Sequence, residues 1–141
     1  MERPQASQLG HICIRVKDLD ATIQFYHGLL GMPIVERRAI PGSGSSFAAL
    51  GSRANYLEVF PVAAGQEMEQ ADPASLRLNH ICLCVEQIEE LEQRAAAAGH
   101  PFTHAIRVAP SWVGAALKVG WVIDPDGNRV ELLEWTGPAQ E

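Results

Sequence analysis

Apolar and polar residues alternate along two short segments, one near the start of the chain and one near its middle. In residues 9–16 every second side chain is apolar, and residues 78–85 repeat that alternation. Strict alternation is typical of a strand with one buried face. The opposite face begins with a histidine in both segments, His11 in the first and His80 in the second, so we expect both imidazoles to face away from the core.

The two segments belong to a tandem repeat that covers most of the chain. His80 lies 69 residues after His11, and the Ile, Cys and Val neighbours match at the same offset. A helical pattern follows each segment, at residues 19–31 and 88–99, with a glycine where each helix should stop. Asp18 or Asp20 is expected to cap the first helix.

The second half of each copy ends in a strand that carries a glutamate, Glu58 in the first copy and Glu131 in the second. Each copy is therefore interpreted as a strand, a helix and three further strands, an α+β arrangement of tandem βαβββ modules within one domain, 1–141. Module one spans about 9–60, a linker spans 61–77, and module two spans about 78–135. The predicted strands are 10–16, 33–38, 46–50, 55–60, 79–85, 103–108, 117–123 and 129–135.

The repeat places one histidine and one glutamate at equivalent positions of each module. A single histidine or glutamate on a strand usually has a structural role, but four such residues that all respect the repeat favour a metal site. Two imidazoles and two carboxylates suit Ni²⁺, Co²⁺ or Zn²⁺, with Fe²⁺ and Mn²⁺ as alternatives. For Cys13 and Cys82, which are also equivalent, we expect packing rather than ligation.

Composition restricts the partners and the compartment. The 141 residues carry a net charge of −6, which argues against binding a phosphate backbone. No apolar run approaches the ~20 residues that cross a bilayer, and residues 1–9 lack the apolar centre of a signal peptide. Three cysteines are too few for a disulfide framework. We therefore expect a cytoplasmic protein with a small-molecule substrate and neither a nucleic-acid nor a membrane partner.

Beside the repeat, the chain contains five short motifs: Leu9-Gly-His11, Phe25-Tyr26, Leu30-Gly31, Leu78-Asn-His80 and Asp124-Pro-Asp-Gly-Asn-Arg-Val-Glu131. With these motifs the sequence resembles the vicinal oxygen chelate superfamily, which includes glyoxalases, extradiol dioxygenases and bleomycin resistance proteins. The resemblance implies paired modules that curl into a cup around one divalent metal ion. Its ligands would be His11, Glu58, His80 and Glu131.

The four-ligand set is most similar to bacterial-type glyoxalase I. That enzyme isomerises the hemithioacetal of methylglyoxal and glutathione to lactoylglutathione through a metal-bound enediolate. By resemblance, Glu131 and Glu58 would shuttle the proton, and Arg15 would bind the substrate. Two further glutathione contacts of that family are absent here, since Val62 and Leu76 occupy their positions. The metal chemistry therefore has more support than the thiol.

Three alternatives stay open. A methylmalonyl-CoA epimerase would need a further glutamate as a second base, for which Glu36 is the nearby candidate. An extradiol dioxygenase would use only three protein ligands and would not need Glu58 as a fourth. A drug-binding resistance protein would use aromatic surfaces, although we favour a core role for the aromatic residues. Those residues are Trp112, Trp121, Trp135, Tyr56 and Phe60. A homodimer is the default assembly.

Overall fold

The computed structural model describes residues 9–63, 65–67, 78–110 and 116–136. The chain divides into two compact units, residues 1–68 and 69–141, which are described separately here. In the described part of the chain, no helix is long and apolar enough to cross a membrane.

The first unit contains a four-stranded mixed sheet with one helical segment between its first two strands. The sheet order is β1-β4-β3-β2, with β1 parallel to β4 and the other neighbours antiparallel. The elements are β1 (His11–Val16), α1 (Leu19–Ile23), a π-helical segment (Gln24–Leu29), β2 (Ile34–Ile40), β3 (Ser45–Gly51) and β4 (Tyr56–Pro61).

The second unit repeats this topology. Its sheet order is β5-β8-β7-β6, again with the outer strand β5 parallel to β8. The elements are β5 (Ile81–Cys84), α2 (Ile88–Ala97), β6 (Arg107–Pro110), β7 (Ala116–Ile123) and β8 (Arg129–Trp135). The predicted α+β class and the βαβββ topology are therefore confirmed.

Two elements differ from the prediction. The first helix widens after Ile23, where Leu30 N–H donates to the Phe25 carbonyl five residues back at 3.0 Å, a π-type bond. In the second unit, β6 begins at Arg107, four residues later than predicted. Arg107 is the first residue of this segment that pairs with β7, where it lies opposite Val119. Both helices stop at the predicted glycines, which adopt φ of +81° and +84°.

Each sheet buries one face beneath its own helix. In the first unit α1 packs on β3 and β4, and in the second α2 packs on β7 and β8. The largest fully buried apolar side chains are those of helix-facing strand positions and of the helices themselves: Val16, Phe25, Tyr26, Leu50, Val59, Ile88, Val122, Val130 and Leu132. This burial orients each strand, so the alternate residues must project from the other face of the sheet.

The two helices begin in different ways. The Asp18 carboxylate accepts from the Ala21 N–H at 3.0 Å, which selects Asp18 as the cap of α1. At the equivalent place before α2, Gln87 has φ of +56° and makes no side-chain cap. Instead, the Glu134 carboxylate of β8 accepts from the N–H groups of Gln87 at 3.2 Å and Ile88 at 3.0 Å.

Candidate metal site

In the first unit, the structure brings His11 and Glu58 together on the exposed face of the sheet. Side chains of β1 alternate as predicted, with His11, Cys13 and Arg15 exposed and Ile14 and Val16 buried. Cys13 is directly opposite Glu58 on the parallel neighbour β4. His11 Nε2 lies 3.7 Å from Glu58 Oε2.

Tyr56 supports the first imidazole. Its ring stacks on that of His11, with centroids 4.8 Å apart and planes 17° from parallel. Tyr56 and His11 are also opposite each other in the register of β1 and β4. The aromatic contact thus fixes the plane of the imidazole but makes no hydrogen bond to it.

In the second unit, His80 and Glu131 form the equivalent pair at closer range. His80 Nε2 lies 3.1 Å from Glu131 Oε2, and Cys82 is opposite Glu131 in the ladder of β5 and β8. The side chains are 34% and 20% exposed respectively, against 46% and 25% for the first pair. Both glutamates are partly shielded while both histidine rings remain accessible.

Each pair has the chemistry of two ligands to one divalent cation, and the second pair also has the spacing. Two donor atoms that share an ion at ~2.1 Å and meet at a tetrahedral or right angle lie about 3.0–3.4 Å apart. The second pair falls within that range, and the first would need the exposed His11 ring to move by a few tenths of an ångström. Within the described ranges, no group of three or more His, Cys, Asp or Glu side chains is placed to hold a metal ion. Each pair by itself could therefore supply two ligands to a metal ion.

Around His80 the structure shows a hydrogen-bonded cluster of side chains, which was not predicted from the sequence. The Asn79 Oδ1 lies 2.8 Å from His80 Nδ1 and 3.4 Å from the Arg129 Nη1. The Arg129 guanidinium also lies over the Trp121 ring, 4.6 Å from its centroid, and the rings of Trp121 and His80 form a T-shaped contact with centroids 4.9 Å apart. Asn79 adjoins a predicted ligand in sequence, but only the sheet brings Arg129 and Trp121 to it.

The packing role expected for Cys13 and Cys82 is wrong, because both are exposed, as is Cys84. They share the strand face of the histidines, which the helices do not cover. Partial burial of the thiol and the nearby Glu131 carboxylate nevertheless raise the pKa of Cys82 to about 12. Burial and Glu58 raise the pKa of Cys13 in the same way. At neutral pH both remain thiols, which disfavours nucleophilic catalysis.

The core role expected for the aromatic residues is also wrong for those that the structure describes. Tyr56, Phe60 and Trp121 are half-buried and Trp135 is exposed, because all four alternate with the buried positions of their strands. Trp112 lies outside the described residues. The aromatic side chains therefore belong to the same sheet faces as the His–Glu pairs.

Arg15 lies at the end of a row of stacked side chains across the first sheet. Its guanidinium lies over the Phe60 ring at 5.3 Å, and Phe60 stacks on Phe47 with centroids 4.9 Å apart. The Arg38 guanidinium lies over the Phe47 ring at 5.2 Å. Arg15 is exposed, and a guanidinium that lies over a ring can still donate from its N–H groups. Phe47 and Arg38 were not found from the sequence, since only the register of four strands makes them neighbours.

A model of the Glyoxalase/Bleomycin resistance protein/Dioxygenase superfamily matches residues 8–132 of the chain. A lactoylglutathione lyase of Salmonella typhimurium is 30% identical over 128 residues, covering 90% of this chain and 92% of that protein. Lactoylglutathione lyase GLX1 of Arabidopsis thaliana is 28% identical over 134 residues, 93% of this chain and 45% of that protein. The chain thus spans about half the length of the plant relative.

Among solved structures, the trypanothione-dependent glyoxalase I of Leishmania major is similar to this chain. It matches with a TM-score of 0.63 and 26% sequence identity, over 92% of this chain and 87% of that protein.

Proposed function

Because the chain belongs to the Glyoxalase/Bleomycin resistance protein/Dioxygenase superfamily, we propose that it is a metal-dependent lyase or isomerase of the glyoxalase I type. Its substrate would be the hemithioacetal of a 2-oxoaldehyde with a thiol, and its product a 2-hydroxyacyl thioester. The observation that carries the proposal is the duplicated His–Glu pair on the exposed sheet face of each unit. The lyase names of relatives at 28% and 30% identity support the same reaction class.

The proposed ligands of one divalent cation are His11, Glu58, His80 and Glu131. When bound, such a cation would act as a Lewis acid toward adjacent oxygen atoms of the substrate. Ni²⁺, Co²⁺ and Zn²⁺ all suit two imidazoles and two carboxylates, and Fe²⁺ and Mn²⁺ are the alternatives. The proposed homodimer and cytoplasmic location remain predictions.

The proton transfer is assigned to the glutamates. The reaction moves a proton from the carbon that bears sulfur to the neighbouring carbon, which requires a base that returns the proton it takes. Glu131 meets this need, because its carboxylate is 20% exposed and contacts His80 and the Cys82 thiol. Glu58 has the equivalent contacts in the first unit and is the second candidate base.

Arg15 is assigned to the thiol moiety of the substrate. Its guanidinium lies over Phe60 at 5.3 Å on the sheet face that also carries Glu58. An exposed guanidinium binds a carboxylate well, and Arg15 is exposed. The proposal is therefore an acidic thiol, whose anionic group is bound by Arg15.

Metal analysis and a hemithioacetal assay test the proposal. The purified protein should contain one divalent metal per site, isomerise hemithioacetals of acidic thiols, and lose that activity on chelation. Glu131→Gln should reduce kcat by a factor of ~10² or more, the usual size of a lost acid–base group. Glu90→Gln, on the exposed side of α2, is the matched control. Full activity after chelation would refute the metal, and full activity of Glu131→Gln would refute its role as base.

A second candidate, a CoA-thioester epimerase, is favoured by the position of Glu36. In the sheet register Glu36 is opposite Ala49, which in turn is opposite Glu58. Residues directly opposite share a face, so two carboxylates project from the same side, two strand spacings or about 10 Å apart. Glu36 also contacts Arg38 at 3.5 Å. Deuterium exchange from solvent into methylmalonyl-CoA, lost in Glu36→Gln, would select this function over the first.

A further inference from the structure

Two side chains, those of His80 and Arg129, converge on the Asn79 amide oxygen beside the second candidate metal ligand. The Asn79 Oδ1 lies 2.8 Å from His80 Nδ1, and Arg129 Nη1 approaches the same oxygen at 3.4 Å. Arg129 is in turn held by its contact with the Trp121 ring at 4.6 Å. The opposite nitrogen of the imidazole, Nε2, lies 3.1 Å from Glu131 Oε2.

The hydrogen-bonding capacities of these groups fix the position of a proton. A guanidinium can only donate, so the Asn79 atom that faces Arg129 must be the amide oxygen rather than the nitrogen. An amide oxygen can only accept, so the His80 Nδ1 that faces it must carry the hydrogen. In the neutral imidazole, Nε2 then presents a bare lone pair next to a carboxylate oxygen. Two acceptors at 3.1 Å repel unless a cation or a proton lies between them.

We infer that Asn79 and Arg129 are positioning residues that hold His80 in the Nδ1–H tautomer, so that Nε2 and Glu131 together face a divalent cation. The inference rests on the proposed function for the identity of that cation. It assigns no direct contact with the metal or the substrate to either residue. Their effect is to preorganise a ligand, because an imidazole already in the correct tautomer and orientation loses less freedom on binding.

The duplication within the chain argues that the cluster is not needed to build the sheet. At the position equivalent to Asn79 the first unit has Gly10, and at the position equivalent to Arg129 it has Tyr56. A side chain at Gly10 would meet nothing within 4 Å, so the strand start accepts either residue. The same topology thus forms with and without the cluster. The topology therefore does not require the cluster, and its contact with His80 is the role that we assign to it.

The test compares Asn79→Ala and Arg129→Leu with a rescue variant, Asn79→Asp, which keeps an acceptor oxygen. Arg107→Gln, which removes an exposed charge from the same unit, is the control. The first readout is the pair of ¹⁵N signals of the His80 ring in metal-free protein at alkaline pH. We expect a single Nδ1–H tautomer in the wild type, Asn79→Asp and Arg107→Gln, and a tautomer mixture in the other two variants.

The second readout is the affinity for Zn²⁺ and Ni²⁺, measured by competition with a chelator. Loss of a hydrogen-bond partner of a metal-binding histidine typically weakens binding by about 10–100-fold. We expect that loss in Asn79→Ala, a smaller one in Arg129→Leu, and wild-type affinity in Asn79→Asp. Wild-type thermal stability of each variant in the metal-free state would show that the loss is not one of folding.

The outcomes separate this inference from the proposed function. An unchanged tautomer in Asn79→Ala, or a wild-type protein with hydrogen on Nε2, would overturn the inference whatever the metal result. A metal affinity equal to wild type in Asn79→Ala would also overturn it. If the wild type binds no divalent metal, the proposed function fails, and the ¹⁵N signals alone then decide whether Asn79 sets the tautomer.

Discussion

Replacing Glu134 by alanine should destabilise the second unit through the start of α2. The Glu134 carboxylate accepts from the N–H groups of Gln87 and Ile88, and Ile88 is fully buried, so water cannot readily replace the bond to its N–H. Loss of a capping side chain typically costs about 1 kcal/mol. Removal of a partly buried negative charge from a helix N-terminus adds about 0.3–1 kcal/mol. We therefore expect the free energy of unfolding to fall by about 1.3–2 kcal/mol.

Urea unfolding, followed by far-UV circular dichroism, measures this loss as a lower midpoint at an unchanged slope. Glu134→Gln should lose about half as much, because its amide oxygen can still accept one of the two bonds. Glu90→Ala is the matched control: Glu90 is in the same first turn but is exposed. Its removal should cost no more than about 0.5 kcal/mol. A Glu134→Ala effect as small as that of the control would refute the reasoning.

Three further outcomes are expected. Divalent metal at about 100 times its Kd should raise the free energy of unfolding of the wild type by about 2.7 kcal/mol, and His80→Ala should abolish the effect in a urea titration. Arg15→Met should raise KM for acidic thiol substrates by about tenfold in steady-state assays, because one charge-assisted hydrogen bond is lost, and kcat should change little. The control variant Arg53→Met should leave both KM and kcat unchanged. Lys118→Met should lower Tm near neutral pH, because Lys118 Nζ donates to Glu89 at 2.6 Å. That bond lowers the pKa of Glu89 and raises the pKa of Lys118, so the difference from wild type should vanish as pH falls through the lowered carboxyl pKa or rises through the raised ammonium pKa. A difference in Tm that does not vary with pH would contradict this assignment.

The repeat explains why so much of the fold was predictable. Alternation in β1 and β5 fixed which residues enter the core, and a second copy of each element confirmed the pattern independently. The ends of the helices followed from Gly31 and Gly99, whose positive φ is costly for other residues. The start of β6 was predicted too early, because a strand begins where its neighbour offers a register, and that partner is distant in sequence.

The candidate metal site was likewise predictable in part from the sequence. The residue types and spacing of the two His–Glu pairs came from the sequence, since each pair occupies repeated positions on predicted strands. The packing role of Cys13 and Cys82 and the core role of the aromatic residues were wrongly predicted, because apolar character was taken as a sign of burial. Their exposure depends on the face that the helices leave uncovered, as Cys13 and Trp121 illustrate.

By itself, the sequence determined the class of the fold, the strand faces and the four candidate ligands, because these depend on local periodicity and on one internal duplication. Only the tertiary structure decided which distant side chains meet. Glu134 caps α2 across the unit, Arg129 reaches Asn79, and Phe47 stacks on Phe60 because neighbouring strands lie side by side in a particular register. Register is set by the packing of the whole sheet against its helix, which no local pattern of residues encodes.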